Sequence, residues 1–188
     1  MASTNIYDLS PAAVTLICGT TGVVANFAFF FVNTAINYIT MPVLLIGHSE
    51  SALKPTSSDK TGAPSIPHLN RQWQEVYFRG HRMGPGLAIS ATLAHGLAAY
   101  SADDSTVKWF FGAAAAASIA VVPYTLLVML PTNDALHARA DAKKDGDGDD
   151  EKTLGLIVKW VGMSKVRANI ALLSAILSVV GIVRLARG

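Results

Sequence analysis

Residues 109–130 read WFFGAAAAASIAVVPYTLLVML, a run with no charged side chain. A helix that crosses the hydrocarbon layer needs roughly 20 mostly apolar residues, and this stretch supplies them. Its alanines and glycine suit helices that pack closely in lipid. Working outward, the whole third block extends over residues 107–130, and three comparable stretches flank it. The first starts near Leu9 and runs through VTLICGTTGVVANFAFFFVNTAINYI, giving a span over 11–37, with Pro42 expected to kink or end it. The second, MGPGLAISATLAHGLAAY, gives a short span over 83–101; the fourth, VRANIALLSAILSVVGIVRL, covers 166–185 and ends in basic residues.

Polar connectors separate the spans over 48–82 and 131–165. The first opens as SESALKPTSSDKTGAPSIP, whose Pro, Ser and Gly content predicts irregular chain. It continues as HLNRQWQEVYFRGHR, where Trp73, Val76, Tyr77 and His81 recur at helical spacing on one side. That pattern predicts an amphipathic helix lying at the membrane interface. The second connector carries ADAKKDGDGDDEK, which imitates a calcium loop but lacks the ligand register of an EF-hand, so a solvated loop is expected. The sequence thus predicts an all-α fold: an integral membrane four-helix bundle, one domain over 1–188, with an interfacial amphipathic helix before the second span.

The chain has 188 residues, 51% hydrophobic and 15% charged, with a formal net charge of +2; a soluble domain of this size carries more charge. The basic residues flank apolar blocks and form no aromatic-interleaved patch, which removes nucleic acid as a partner and leaves membrane lipid. Cys18 is the single cysteine, so no intramolecular disulfide and no cysteine metal cluster can form; it reads as a small buried hydrophobe. The start, MASTNIYDLSPAAV, lacks the basic region and cleavage pattern of a signal peptide, so the first block is expected to act as a signal anchor. Most of the fifteen Lys and Arg residues lie in or beside the two connectors, while Lys108, Arg184 and Arg187 lie opposite. The positive-inside rule then places both connectors in the cytosol, with the endoplasmic reticulum or a related endomembrane as the expected location.

Polar groups inside apolar blocks are costly, so they face the bundle interior, pair, or line a cavity. At about 100° per residue, Asn26, Asn33 and Asn37 form one stripe on the first helix. Interhelical hydrogen bonding and a substrate-facing role both stay open for them. His95 shares a face with Ala91, Ala88 and Gly84, and His81 falls near that face. Asn133 and His137 are four apart and point the same way if the helix resumes after Pro131. Tyr124 either hydrogen-bonds across the bundle or fills space. Trp160, Arg167 and Ser174 are spaced by sevens, with Ser178 nearby; Arg167 either stabilises an anion or snorkels to lipid phosphates.

These residues carry a resemblance. QWQEVYFRG at 72–80, LPTNDAL at 130–136 and the pairing of Trp160 with Arg167 make the chain resemble the fungal anthrone oxygenases, across almost its whole length. The resemblance implies a membrane-embedded monooxygenase of secondary metabolism. Such an enzyme oxidises an aromatic polyketide, an anthrone, to the anthraquinone with molecular oxygen and no organic cofactor. The sequence agrees in lacking a Gly-rich dinucleotide turn, a cysteine for haem and a carboxylate-rich di-iron pattern. The substrate would then supply the electrons, and the protein a base, an anion hole and shelter from water. General bases contribute about 10² to 10⁴ in rate, and histidine titrates near neutral pH. His81, His95 or His137 is the expected base, with Asn133, Tyr77 and Arg167 stabilising the oxyanion. Trp73 and Trp160 are expected to stack on the flat rings, with Asn26, Asn33 and Asn37 lining the substrate site. Two other classes stay open. One is a metal-dependent membrane oxidase, with His48, His81, His95 and His137 converging from different helices. The other is a non-catalytic four-helix scaffold or accessory subunit. Self-association is compatible with each.

Overall fold

The computed structural model describes residues 9–46, 65–141 and 150–187. Among them the chain is helical almost throughout, with no strand. Four long helices account for it: α1 (Pro11–Leu44), α2 (Ile66–Ser101), α3 (Ser105–Asp141) and α4 (Asp150–Arg187). The all-α, four-helix fold predicted from the apolar blocks is therefore present. The Pro/Ser/Gly-rich part of the first connector and the centre of the acidic run, residues 142–149, lie outside the described residues, as does His48.

Local chemistry sets the helix ends. Ser10 Oγ accepts from the Ala13 N–H at 3.2 Å, and Pro11 occupies the first turn, where its missing N–H costs nothing. Asp104 Oδ1 accepts from the Val107 N–H at 2.8 Å and starts α3 after a turn of three residues. α2 carries Pro85 without a break, whereas in α1 and α3 the helix widens ahead of a proline. Ahead of Pro42, residues Ile36–Thr40 form a π-helical turn, and α1 passes through the proline to Leu44. Between Pro123 and Pro131, residues Thr125–Met129 do the same in α3. A π turn relieves the clash of the pyrrolidine ring with the preceding turn.

The helices exceed the spans expected from hydropathy. The helix expected over HLNRQWQEVYFRGHR is present and runs without a break into the second span, and residues 131–141 and 150–165, expected as connector, are also helical; all three stretches bury side chains. α1, α3 and α4 are long and apolar enough to cross a membrane. α2 is not among them, because the apolar half predicted as a span at 83–101 is diluted by glycine, serine and histidine.

The chain divides into two compact units. Among the described residues, the first comprises 9–30, 84–122 and 168–187. Its core consists of Phe29, Ala88, Val121 and Ala171, and of Ala98, Ala102, Val107 and Phe111, against which the half-buried Cys18 packs. Small residues let the helices approach closely. A Cβ on Gly19 would meet the Phe111 ring at 2.6 Å, and one on Gly22 would collide with the His95 ring. Leu16, Val24, Leu93 and Trp109 face outward, whereas Asn26, His95, Ser118, Ser174 and Ser178 are buried. Apolar outside and polar inside is the arrangement expected when the solvent is lipid.

Among the described residues, the second unit comprises 31–46, 65–83, 123–141 and 150–167. Its core is larger-grained: Met41, Leu69, Trp73, Met129, Leu136, Leu154, Ile157 and Trp160. Asn70 Nδ2 donates to the Leu136 carbonyl at 3.1 Å and Tyr124 Oη to the Met163 carbonyl at 3.2 Å, so α2 is tied to α3 and α3 to α4. Tyr124 thus hydrogen-bonds across helices.

Candidate active site

The second unit holds most of the residues singled out from sequence: Trp73, Tyr77 and His81 on α2, Asn133 and His137 on α3, Trp160 and Arg167 on α4, and Asn33 and Asn37 on α1. Asn26 and His95 belong to the first unit.

Helical spacing on α2 builds an aromatic ladder. Trp73 is fully buried, and the Tyr77 ring lies one turn on, 5.4 Å away between centroids. His81 follows after another turn, stacked on Tyr77 at 5.5 Å and 15°, and is itself exposed. α3 adds His137, whose ring meets Tyr77 edge-on at 4.6 Å, Trp73 at 5.1 Å and Phe78 at 5.4 Å. α4 adds Trp160, perpendicular to Trp73 at 5.8 Å. Helix α3 continues through Pro131, so Asn133 is buried on the side where His137 lies half-buried, as their spacing predicted.

Arg167 is turned inward. Its Nη2 donates to Asn33 Oδ1 at 2.8 Å, and Ser164 Oγ donates to the same oxygen at 3.5 Å. The guanidinium charge reaches Tyr77: burial raises the phenol above its ordinary pKa, Arg167 opposes that shift, and Asp134 adds to it. The phenol therefore stays protonated, and a donor, at neutral pH. The guanidinium is thus bonded to Asn33 inside the unit and not extended toward lipid phosphates.

Unpartnered buried polar atoms concentrate in this unit, although His95 Nε2 in the first unit is one as well. Among the described residues, those of the second unit include both ends of the Asn37 amide, Asn133 Oδ1, Gln72 Oε1 and the indole Nε1 of Trp73 and Trp160. Leaving such a group unsatisfied costs about 1–3 kcal/mol each, so several in one core need an explanation, and a polar ligand is one. Gln72 and Gln74 were not singled out as site residues, although both stand in the motif QWQEVYFRG. Their signal was available in the helical phase, since Gln72 and Gln74 flank the buried Trp73. Gln74 Nε2 lies 3.2 Å from His137 Nδ1.

The first unit is organised differently. Asn26 Nδ2 donates to Ser118 Oγ at 3.0 Å and to Ser174 Oγ at 2.7 Å; both serines donate to the Ala114 carbonyl. His95 Nδ1 lies 3.4 Å from Ser118 Oγ, and its Nε2 edge is packed on Gly22. Ser178 Oγ donates to the Gly19 carbonyl at 3.3 Å. This network joins α1, α2, α3 and α4 by hydrogen bonds, and its geometry is that of helix adhesion. Among the described residues no group of three or more His, Cys, Asp or Glu is placed to hold a metal ion.

The model of the anthrone oxygenase family matches residues 73–177, more than half of the chain and the segment holding Trp73, Tyr77, His137, Trp160 and Arg167. A monooxygenase, hypC, of Dothistroma septosporum is 33% identical over 125 residues, covering 65% of this chain and 66% of the relative. The anthrone oxygenase encC of Aspergillus fumigatus is 33% identical over 112 residues, covering 60% and 56%. The noranthrone monooxygenase of Aspergillus flavus is 32% identical over 119 residues, covering 61% and 56%. The chain spans rather more than half the length of these relatives. No solved structure matches. With more than half of its residues matched by the family model, the chain belongs to the anthrone oxygenase family.

Proposed function

We propose that this chain is a membrane-embedded monooxygenase that oxidises a polyketide anthrone to the anthraquinone. The observation that carries the reading is the joining, in one unit, of Asn33, Arg167, Tyr77, His81, His137, Trp73 and Trp160 with buried polar atoms that lack a protein partner. Flat rings suit the indole and phenol faces, and a planar oxygen-bearing ligand suits the unpaired amides and indole N–H groups.

In this reading a histidine, His81 or His137, removes a proton from the methylene between the two aromatic rings. The carbonyl oxygen opposite it becomes phenolate-like and is held by Arg167, Tyr77 and Asn133. The carbanion passes an electron to dioxygen, and the two radicals combine at the former methylene carbon as a peroxide. Loss of the remaining hydrogen with cleavage of the O–O bond releases water and leaves the second carbonyl. One anthrone and one dioxygen give one anthraquinone and one water, so the substrate supplies all four electrons. The reading requires neither an organic cofactor nor an external reductant. His95, sealed against Gly22, serves packing in this account and not proton transfer.

The apolar outer face of α1, α3 and α4 supports membrane embedding. The charge distribution supports cytosolic connectors in an endomembrane. The test is conversion of an anthrone by membranes containing the chain, with spontaneous oxidation subtracted. Anthraquinone and oxygen uptake above control membranes support the reading; their absence, with the protein present and extractable, assigns the chain to a scaffold or accessory role.

A further inference from the structure

Gln74 and His137 form a contact that the mechanism above does not use. The amide nitrogen of Gln74 lies 3.2 Å from His137 Nδ1, and an amide nitrogen only donates. Nδ1 is then the acceptor, and the proton of the neutral ring sits on Nε2. A ring in that state has its free lone pair already occupied and presents an N–H on the other side.

We propose that Gln74 is a positioning residue that fixes His137 in the Nε2–H tautomer, so that His137 donates a hydrogen bond to the developing oxyanion and His81 acts as the base. The inference rests on the oxygenase reading and divides the roles that reading left shared. Geometry supports the division. His137 is half-buried and wedged by the rings of Tyr77, Trp73 and Phe78, which fix its orientation as a donor requires. His81 is stacked on Tyr77 and exposed, which leaves a route for the abstracted proton to leave the site. Of the titratable groups, Tyr77 from α2 touches the His137 ring, and Arg167 from α4 and Asp134 from α3 act on that phenol. Among the described residues, Gln74 is the group that occupies Nδ1 of the ring.

The direct test is nitrogen NMR of detergent-solubilised full chain labelled at histidine, with His137 assigned by His137→Gln. The account expects the neutral Nε2–H tautomer at neutral pH in the wild type, moving to Nδ1–H or to the doubly protonated ring in Gln74→Glu, whose carboxylate accepts. A wild-type ring protonated on Nδ1 overturns the proposal, and this readout stands whether or not the chain oxidises anthrones. The kinetic arm uses pH–rate profiles. His137→Gln exchanges the imidazole donor for a less well-placed amide donor and should lower the rate by about tenfold while leaving the acidic limb of the profile in place. His81→Gln should remove that limb and lower the rate by about 10²- to 10⁴-fold. The reverse pattern, in which His137→Gln abolishes the limb and His81→Gln retains it, also overturns the assignment. Absence of any conversion by the wild type refutes the oxygenase reading and, with it, the kinetic roles, while the tautomer is decided by NMR.

Discussion

Arg167→Met is the substitution that probes the anion hole most cleanly. Methionine keeps most of the length and the apolar stem while removing the charge and the fork of donors. A unit positive charge about 4 Å from a developing oxyanion, at an effective dielectric near 20, contributes about 4 kcal/mol. Loss of a single oxyanion donor in other enzymes costs about 2.7–4 kcal/mol. Both routes lead to a fall of about 10²- to 10³-fold in kcat. Asn33 acts through Arg167, because its Oδ1 receives the guanidinium at 2.8 Å and so fixes its direction. Asn33→Ala should therefore lower the rate alone, and in combination with Arg167→Met should add little, since residues that share one interaction are not additive. The assay is the initial rate of anthraquinone formation in membranes matched for protein content, with the spontaneous rate subtracted at each substrate concentration. An Arg167→Met rate within threefold of wild type, or effects of the two substitutions that multiply independently, would refute the reasoning.

Three further outcomes follow from the packing and the site. Gly22→Val pushes side-chain atoms into the buried His95 ring and should lower the thermal stability of the detergent-extracted protein, with His95→Ala in the same chain restoring part of the loss; unchanged melting in Gly22→Val would contradict the close approach. Trp160→Leu removes an aromatic partner of Trp73 at 5.8 Å and should raise KM by about two- to tenfold, the equivalent of about 0.5–1.5 kcal/mol of ring interaction, with a smaller effect on kcat. Treatment of active purified protein with a strong chelator should leave its rate unchanged at well below one metal per chain by total metal analysis; restoration of a lost rate by a metal ion would favour the metal-dependent class.

Much of the fold was legible because lipid imposes length and apolarity on a helix, as the uncharged run at 109–130 illustrates. Hydropathy, however, reports only the part of a helix that suits hydrocarbon. It placed connectors at 66–82, 131–141 and 150–165, where helix continues and buries Leu69, Trp73, Leu136, Ile157 and Trp160. Periodicity held the missing information, since Trp73 and Tyr77 were already seen at helical spacing. Pro42 and Pro131 read as breaks because sequence rules describe α-helix, and a π turn that accommodates proline has no composition of its own. Within the site, helical phase correctly turned Asn26, Asn33 and Asn37 inward, but phase on one helix does not say what faces it. Hence Asn26 could not be assigned from sequence to two serines, nor Asn33 to Arg167. His95 illustrates the same limit: its face of small residues was legible, but the packing of Gly22 against its ring belongs to tertiary structure.

The account stands on electrons drawn from the substrate alone. Its most direct measurement is the oxidation of an anthrone by the purified chain in detergent under ¹⁸O₂, with no added reductant. One dioxygen should be consumed per anthrone, with one labelled oxygen in the anthraquinone and the other in water, at a rate above the protein-free control. A requirement for a nicotinamide or other reductant, or label absent from the quinone formed in excess of the control, would contradict it.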